Sequence, residues 1–112
     1  MELKLRKISG VYIVDILGEL DLYNSCKLKK LFNNMVDRGI YSIIFNLERT
    51  EYIDSTGIGA FIYCTDFARK NRIKFCLCNI NGSVSKVISL TKLNDFFNIT
   101  KDVNEGVKFI GN

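Results

Sequence analysis

Six consecutive residues, Asp54-Ser55-Thr56-Gly57-Ile58-Gly59, concentrate the side chains of this chain that could do chemistry. Asp, Ser and Thr are preferred helix caps, so the plain structural reading is the start of a helix. One cap needs one side chain, however, and three candidates stand in a row. Glycines at 57 and 59 each cost roughly 1 kcal/mol of helix stability relative to Ala. Their presence predicts that something approaches the backbone closely. A helix N-terminus offers free N–H groups and a positive dipole, and so can host a phosphate, bound or covalent. A phosphoryl group on Ser55 would add about −1.5 to −2 charges at neutral pH. Asp54, and Asp21 if the fold brings it near, would repel that charge, while the helix end would hold part of it.

Catalysis fits the same residues poorly. The chain has no histidine to activate a serine, no Gly-x-Ser-x-Gly elbow, and no lysine close to Ser55 in sequence. Gly57-x-Gly59 lacks the third glycine of a dinucleotide fingerprint, and Ser-Thr-Gly is not a phosphate-binding P-loop. The four cysteines, Cys26, Cys64, Cys76 and Cys78, do not form a Cys-x-x-Cys pair. Cys76 and Cys78 are two apart in an apolar run and should share a strand face. Without histidine the ligand supply for a metal is poor, so all four are expected to be buried, reduced and structural. No enzyme activity, cofactor or metal is expected.

The elements that must position the turn follow from periodicity. Leu3, Leu5 and Ile8, then Ser9-Gly10, then Val11 to Leu17 read as a β-hairpin. Leu28, Leu31, Phe32, Met35 and Val36 make one helical stripe, with Asn24 or Ser25 as cap and Gly39 as terminator. Ser42 to Leu47 is a buried strand, Glu48 to Glu51 a polar link, and Gly57 to about Lys70 a largely buried helix. Ile73, Phe75 and Leu77 alternate along a further strand. Val84, Val87 and Ile88 mark a helix capped near Ser83, and Leu93, Phe96 and Phe97 another turn or two of helix contributing to the core. Ile99 suggests a short edge strand. Asp102-x-x-Glu105 resembles a capping box opening a last helix with Val103, Val107 and Ile110. The order β-β-α-β-α-β-α, with further helix at the end, predicts an α/β fold. Its sheet is mixed but mostly parallel, with four or five strands and right-handed crossovers. Functional loops then gather at the carboxyl ends of the parallel strands, which places Asp21 and Ser55 on one side of the molecule.

With 112 residues, 47% of them hydrophobic, residues 1–112 suit one domain with a real core. No apolar run reaches the length of a membrane span, and Met1 to Lys7 alternates charge with hydrophobe, unlike a signal peptide. A cytoplasmic protein is expected. The net charge is +4. Its dense basic groups, Lys27 to Lys30 and Arg69 to Arg72, fall on expected helix surface, so neither nucleic acid nor membrane is an expected partner.

Gly18-Glu19-Leu20-Asp21, Asn46-Leu47 and Tyr52-Ile53-Asp54-Ser55-Thr56-Gly57-Ile58-Gly59 together resemble the bacterial anti-sigma factor antagonists, which carry the STAS fold. The resemblance spans essentially the whole chain. It implies partner switching: the unphosphorylated antagonist binds a serine protein kinase that is also an anti-sigma factor. That kinase phosphorylates the turn serine, here Ser55, and a metal-dependent serine phosphatase restores the binding form. Asp21 and Asp54 match the family's acidic residues beside the serine, and the helix from Gly57 to about Tyr63, with Ile58 and Gly59, matches part of its docking face. Thr56 stands where many relatives have a second serine, which offers a neighbouring hydroxyl. The basic balance also departs from relatives that are mostly acidic. The alternative implied by the same fold is an unphosphorylated STAS scaffold in a signalling particle or beside a lipid transporter.

Overall fold

Every strand but one lies parallel to its neighbours, because each chain reversal except the first runs through a crossover. The computed structural model describes residues 1–111. Strands β1 (Glu2–Ile8) and β2 (Val11–Leu20) form the expected antiparallel hairpin, turning through Ser9 and Gly10. Helix α1 (Leu22–Asp37) leads to β3 (Ser42–Asn46) and β4 (Thr50–Ile53), and α2 (Ser55–Lys70) to β5 (Lys74–Cys78). Helix α3 (Gly82–Thr91), the short β6 (Ile99–Thr100) and α4 (Val103–Gly111) complete the chain. The sheet order is β1-β2-β3-β5-β6, with β4 paired to β2 alone.

Helices α1 to α3 cover one face of the sheet. The core there is built on Phe32, Phe45 and Phe75, whose rings meet edge to face at 4.8 to 6.1 Å, the geometry aromatic quadrupoles prefer. Helix α4 covers part of the other face through Ile110, against Val11, Ile13, Ile44, Cys76 and Cys78.

Four expectations need correction. Thr50 to Ile53 is a strand, not a link. Its burial runs buried-exposed-exposed-buried, which hides the strand period, and its pairing depends on β2, more than thirty residues away. Thr50 Oγ1 donates to the Ile16 carbonyl at 2.7 Å, which anchors the start of β4. Helix α1 begins at Leu22 and is capped by Asp21, whereas Ser25 is buried with an unpartnered hydroxyl. Helix α3 begins at Gly82 after Asn81, and Ser83 instead donates to the Glu51 carbonyl. Residues 93 to 97 form turns rather than helix; Phe97 is buried, and Phe96 packs partly against the core with the Arg69 guanidinium over its ring. Gly39, at φ +82°, ends α1 as expected, and Asp102 Oδ1 accepts from the Glu105 N–H at 2.9 Å as the box requires.

The cysteines divide three to one. Cys64, Cys76 and Cys78 are buried and Cys26, on the first turns of α1, is exposed, against expectation. Burial pushes the Cys64 thiol far up, Cys76 to about 11 and Cys78 to about 12. Those three are thiols at neutral pH and poor nucleophiles. Titration with an aromatic disulfide reagent at neutral pH should therefore modify Cys26 promptly, and the other three only when the protein is unfolded in denaturant. Rapid reaction of a second thiol in the native protein would contradict this packing.

Candidate functional site

Two parallel strands end side by side, and each hands its chain to a helix through an aspartate. Strand β2 pairs with β3 over Tyr12 to Asp15, then shifts register at Gly18/Glu19 and pairs with β4 as far as Leu20↔Ile53. Gly18 makes this shift with φ +98°, a conformation glycine adopts without strain. The residue after Leu20 is Asp21, and the residue after Ile53 is Asp54. Each caps the helix that follows. Asp54 N–H also donates to the Leu20 carbonyl at 3.3 Å, tying the two ends together.

The caps differ in how fully they are used. Asp21 Oδ1 accepts from Asn24 N–H at 2.9 Å, while the Asn24 side-chain amide donates back to the Glu19 carbonyl. Asp54 Oδ1 accepts from Thr56 N–H at 2.9 Å, from Gly57 N–H at 3.1 Å and from the Thr56 hydroxyl. That hydroxyl first, and with it the backbone donors together, hold the Asp54 carboxyl below the usual carboxylate range against the opposing effect of desolvation.

These bonds distinguish the two adjacent hydroxyls. Thr56 is half-buried and its hydroxyl is committed to Asp54. Ser55 is exposed, and its hydroxyl makes no hydrogen bond among the described residues. They also limit how much of a phosphate's charge the helix end could hold. Of the first four N–H groups of α2, Thr56 and Gly57 donate to the Asp54 side chain and Ile58 to the Asp54 carbonyl, at 3.1 Å. Only the Ser55 N–H remains. A phosphoryl group on Ser55 would stand at an exposed helix start next to Asp54, near a groove that holds Asp21, Lys27 and Lys30.

The glycines serve different ends. A Cβ on Gly57 would lie 2.5 Å from Ile53 Cγ1 and 3.0 Å from the Leu20 carbonyl oxygen, whereas a Cβ on Gly59 would meet nothing within 4 Å. The close approach expected at Gly57 is thus α2 seating on the paired strand ends. Ile58 is buried in the main core, so it holds α2 down and its side chain is not offered to a partner. Gly59 is exposed.

Several residues beside the caps were not singled out from the sequence. A groove between the caps is lined by Asp21, Leu22, Tyr23, Cys26, Lys27 and Asp54, among others. Leu22 is 66% exposed, Tyr23 69% and Tyr52 47%. A signal was available for the first two: they fall off the α1 stripe, and an apolar pair outside the core-facing stripe is a surface feature. In the sequence Asn46 stands out only as part of the Asn46-Leu47 motif. It is buried, donates to Asp15 Oδ1 at 2.7 Å, and accepts from Glu48 N–H and the Asn79 amide. It thereby fixes the turn between β3 and β4.

Residues 2–106 match the family model described as the STAS domain. The chain is 30% identical over 97 residues to the anti-sigma-B factor antagonist of Staphylococcus aureus, covering 87% of this chain and 86% of that one. Among solved structures, the Thermotoga maritima protein TM1081 superposes with a TM-score of 0.90 at 24% identity, covering 98% of this chain and 95% of that one. The Bacillus cell fate determinant SpoIIAA in its phosphorylated form superposes with a TM-score of 0.72 at 19% identity, covering 96% and 97%.

Two tests address the site's construction. Gly57→Ala must push Ile53 or α2 aside and should lower stability by about 1 to 3 kcal/mol, whereas Gly59→Ala should leave stability equal or raise it by up to about 1 kcal/mol; urea unfolding of both reads the contrast. Asp54→Ala removes a cap and should cost about 0.5 to 2 kcal/mol at pH 7. The Asp54 carboxyl has a lower pKa folded than unfolded. Its contribution is therefore complete above the unfolded carboxylate range and is lost as pH falls through the folded value. The gap between wild type and Asp54→Ala should narrow steadily below about pH 4. A gap independent of pH would contradict an ionised cap.

Proposed function

We propose that this chain, which belongs to the STAS domain family, is an anti-sigma factor antagonist whose docking is switched by phosphorylation of Ser55. It acts by binding rather than by turnover. In the unphosphorylated form it sequesters a cytoplasmic serine kinase that otherwise restrains a sigma factor. The observation that carries this reading is the state of the Ser55 hydroxyl: exposed, without a hydrogen-bond partner, and placed where α2 begins beside two capping aspartates.

The physics of the switch is local. A partner docking over the caps would cover Ser55 together with the exposed Leu22 and Tyr23. Placing an unpaired charge in such an interface costs roughly 3 to 5 kcal/mol, and each 1.4 kcal/mol is tenfold in affinity. One phosphate thus weakens docking by about two to three orders of magnitude without any change of fold. Three of the first four α2 N–H groups are already taken, which limits how much of the new charge the helix end neutralises. A metal-dependent serine phosphatase would return the protein to its binding form. The S. aureus relative, named for antagonism of an anti-sigma factor, supports the class of partner. The phosphorylated SpoIIAA structure supports a phosphate on a protein of this fold.

A pull-down from the native cytosol, with and without ATP, tests the proposal. Wild type and Ser55→Ala should retain a kinase in the absence of ATP, and ATP should release it from wild type alone. Ser55→Asp should bind about a hundredfold more weakly or worse. Retention of the same kinase by Ser55→Asp at wild-type strength would refute the switch.

A further inference from the structure

The end of the molecule opposite Ser55 gathers four exposed cations, and none of them is paired with a carboxylate. There the β1–β2 turn, the α1–β3 loop and the α2–β5 loop come together. A hollow between the first two is lined by Lys7, Gly10, Tyr12, Arg38 and Tyr41 and has no carboxylate in its wall. The third loop lies against it: Lys74 N–H donates to the Tyr41 carbonyl at 2.9 Å, and Lys74 pairs in register with Ser42. Lys7, Arg38, Arg72 and Lys74 are all exposed. The ion pairs among the described residues are Arg6–Asp15 and Lys70–Asp66, which involve none of these four.

Helix dipoles account for part of this charge, since cations suit helix C-termini. They do not account for Lys7 and Lys74, which lie on strands. Nor do they explain Arg72, which takes a left-handed conformation, φ +56°, just beyond the end of α2. That position ordinarily goes to glycine. Glycine would remove that backbone strain.

We infer that this basic pole is a second docking surface, built for an acidic polypeptide segment. Charge complementarity carries the assignment, and the shape narrows it. A lipid surface would meet a hollow in which Tyr41 is the one large exposed apolar side chain, too little to insert. Single-stranded nucleic acid stacks successive bases on open aromatic faces, and the hollow offers Tyr41 alone, since the Lys7 ammonium covers the Tyr12 ring at 5.1 Å from its centroid. An extended acidic chain needs only the cations and the hollow. The pole and Ser55 lie at opposite ends of the parallel strands, so both surfaces can be occupied at once.

The test uses a fluorescent hexaglutamate peptide and the full chain. Anisotropy at low ionic strength should show saturable binding that weakens with salt, and Arg38→Glu/Lys74→Glu should weaken it roughly tenfold or more. Amide shifts should concentrate at Gly10, Gly39, Tyr41 and Lys74. Ser55→Asp should bind the peptide as wild type does, so this result stands or falls apart from the switch. Absence of saturable binding, shifts spread away from the pole, or equal binding by the double variant would each overturn the inference. So would better competition by anionic vesicles or by a single-stranded oligonucleotide than by the peptide.

Discussion

The pairing of Leu20 with Ile53 is the constraint on which the functional surface depends. Because β2 and β4 run parallel and stop at the same level, the next residue of each chain segment arrives at one edge of the sheet. Both are aspartates, and both are consumed as helix caps. Everything that distinguishes Ser55 follows from that arrangement. Asp54 takes the N–H groups of Thr56 and Gly57 and the Thr56 hydroxyl, which leaves the Ser55 hydroxyl the free oxygen of the turn. Gly57 lets α2 sit directly on the pair, since any side chain there would strike Ile53 or the Leu20 carbonyl.

The same geometry explains why a phosphate could act as a switch in so small a protein. A helix N-terminus normally welcomes an anion, but here Asp54 already takes three of the first four N–H groups. Added charge at Ser55 is therefore expressed outward, toward whatever docks there, rather than absorbed by the fold. Asp54 and Thr56 hold the helix, and the Ser55 hydroxyl is left over.

How much of this was legible in the sequence depended on the range of each interaction. The hairpin, the buried β3 and β5, the stripe of α1 and the cap at Asp102 are short-range patterns, and all appear as read. Strand β4 was not legible: a four-residue segment with two exposed residues in its middle carries no period, and its partner is set by tertiary pairing. The α1 cap was misplaced for a related reason. The helix starts six residues before its apolar stripe begins at Leu28, and Leu22 and Tyr23 are helical yet face solvent. Cys26 and Ile58 show the opposite limits of reading by residue type, one exposed where cysteine is usually buried and the other buried inside a motif expected to meet a partner.

Net charge was the least informative quantity, because +4 says nothing of where the charges stand. Carboxylates cap the helices at one end, and Lys7, Arg38, Arg72 and Lys74 crowd the other. The most direct measurement is intact-mass analysis, with site mapping, of the protein recovered from its own cells. The account predicts a fraction heavier by one phosphate, carried on Ser55, with Thr56 unmodified. A phosphate on Thr56 with Ser55 bare would contradict it, because the hydroxyl bound to Asp54 would then be the one a kinase reaches.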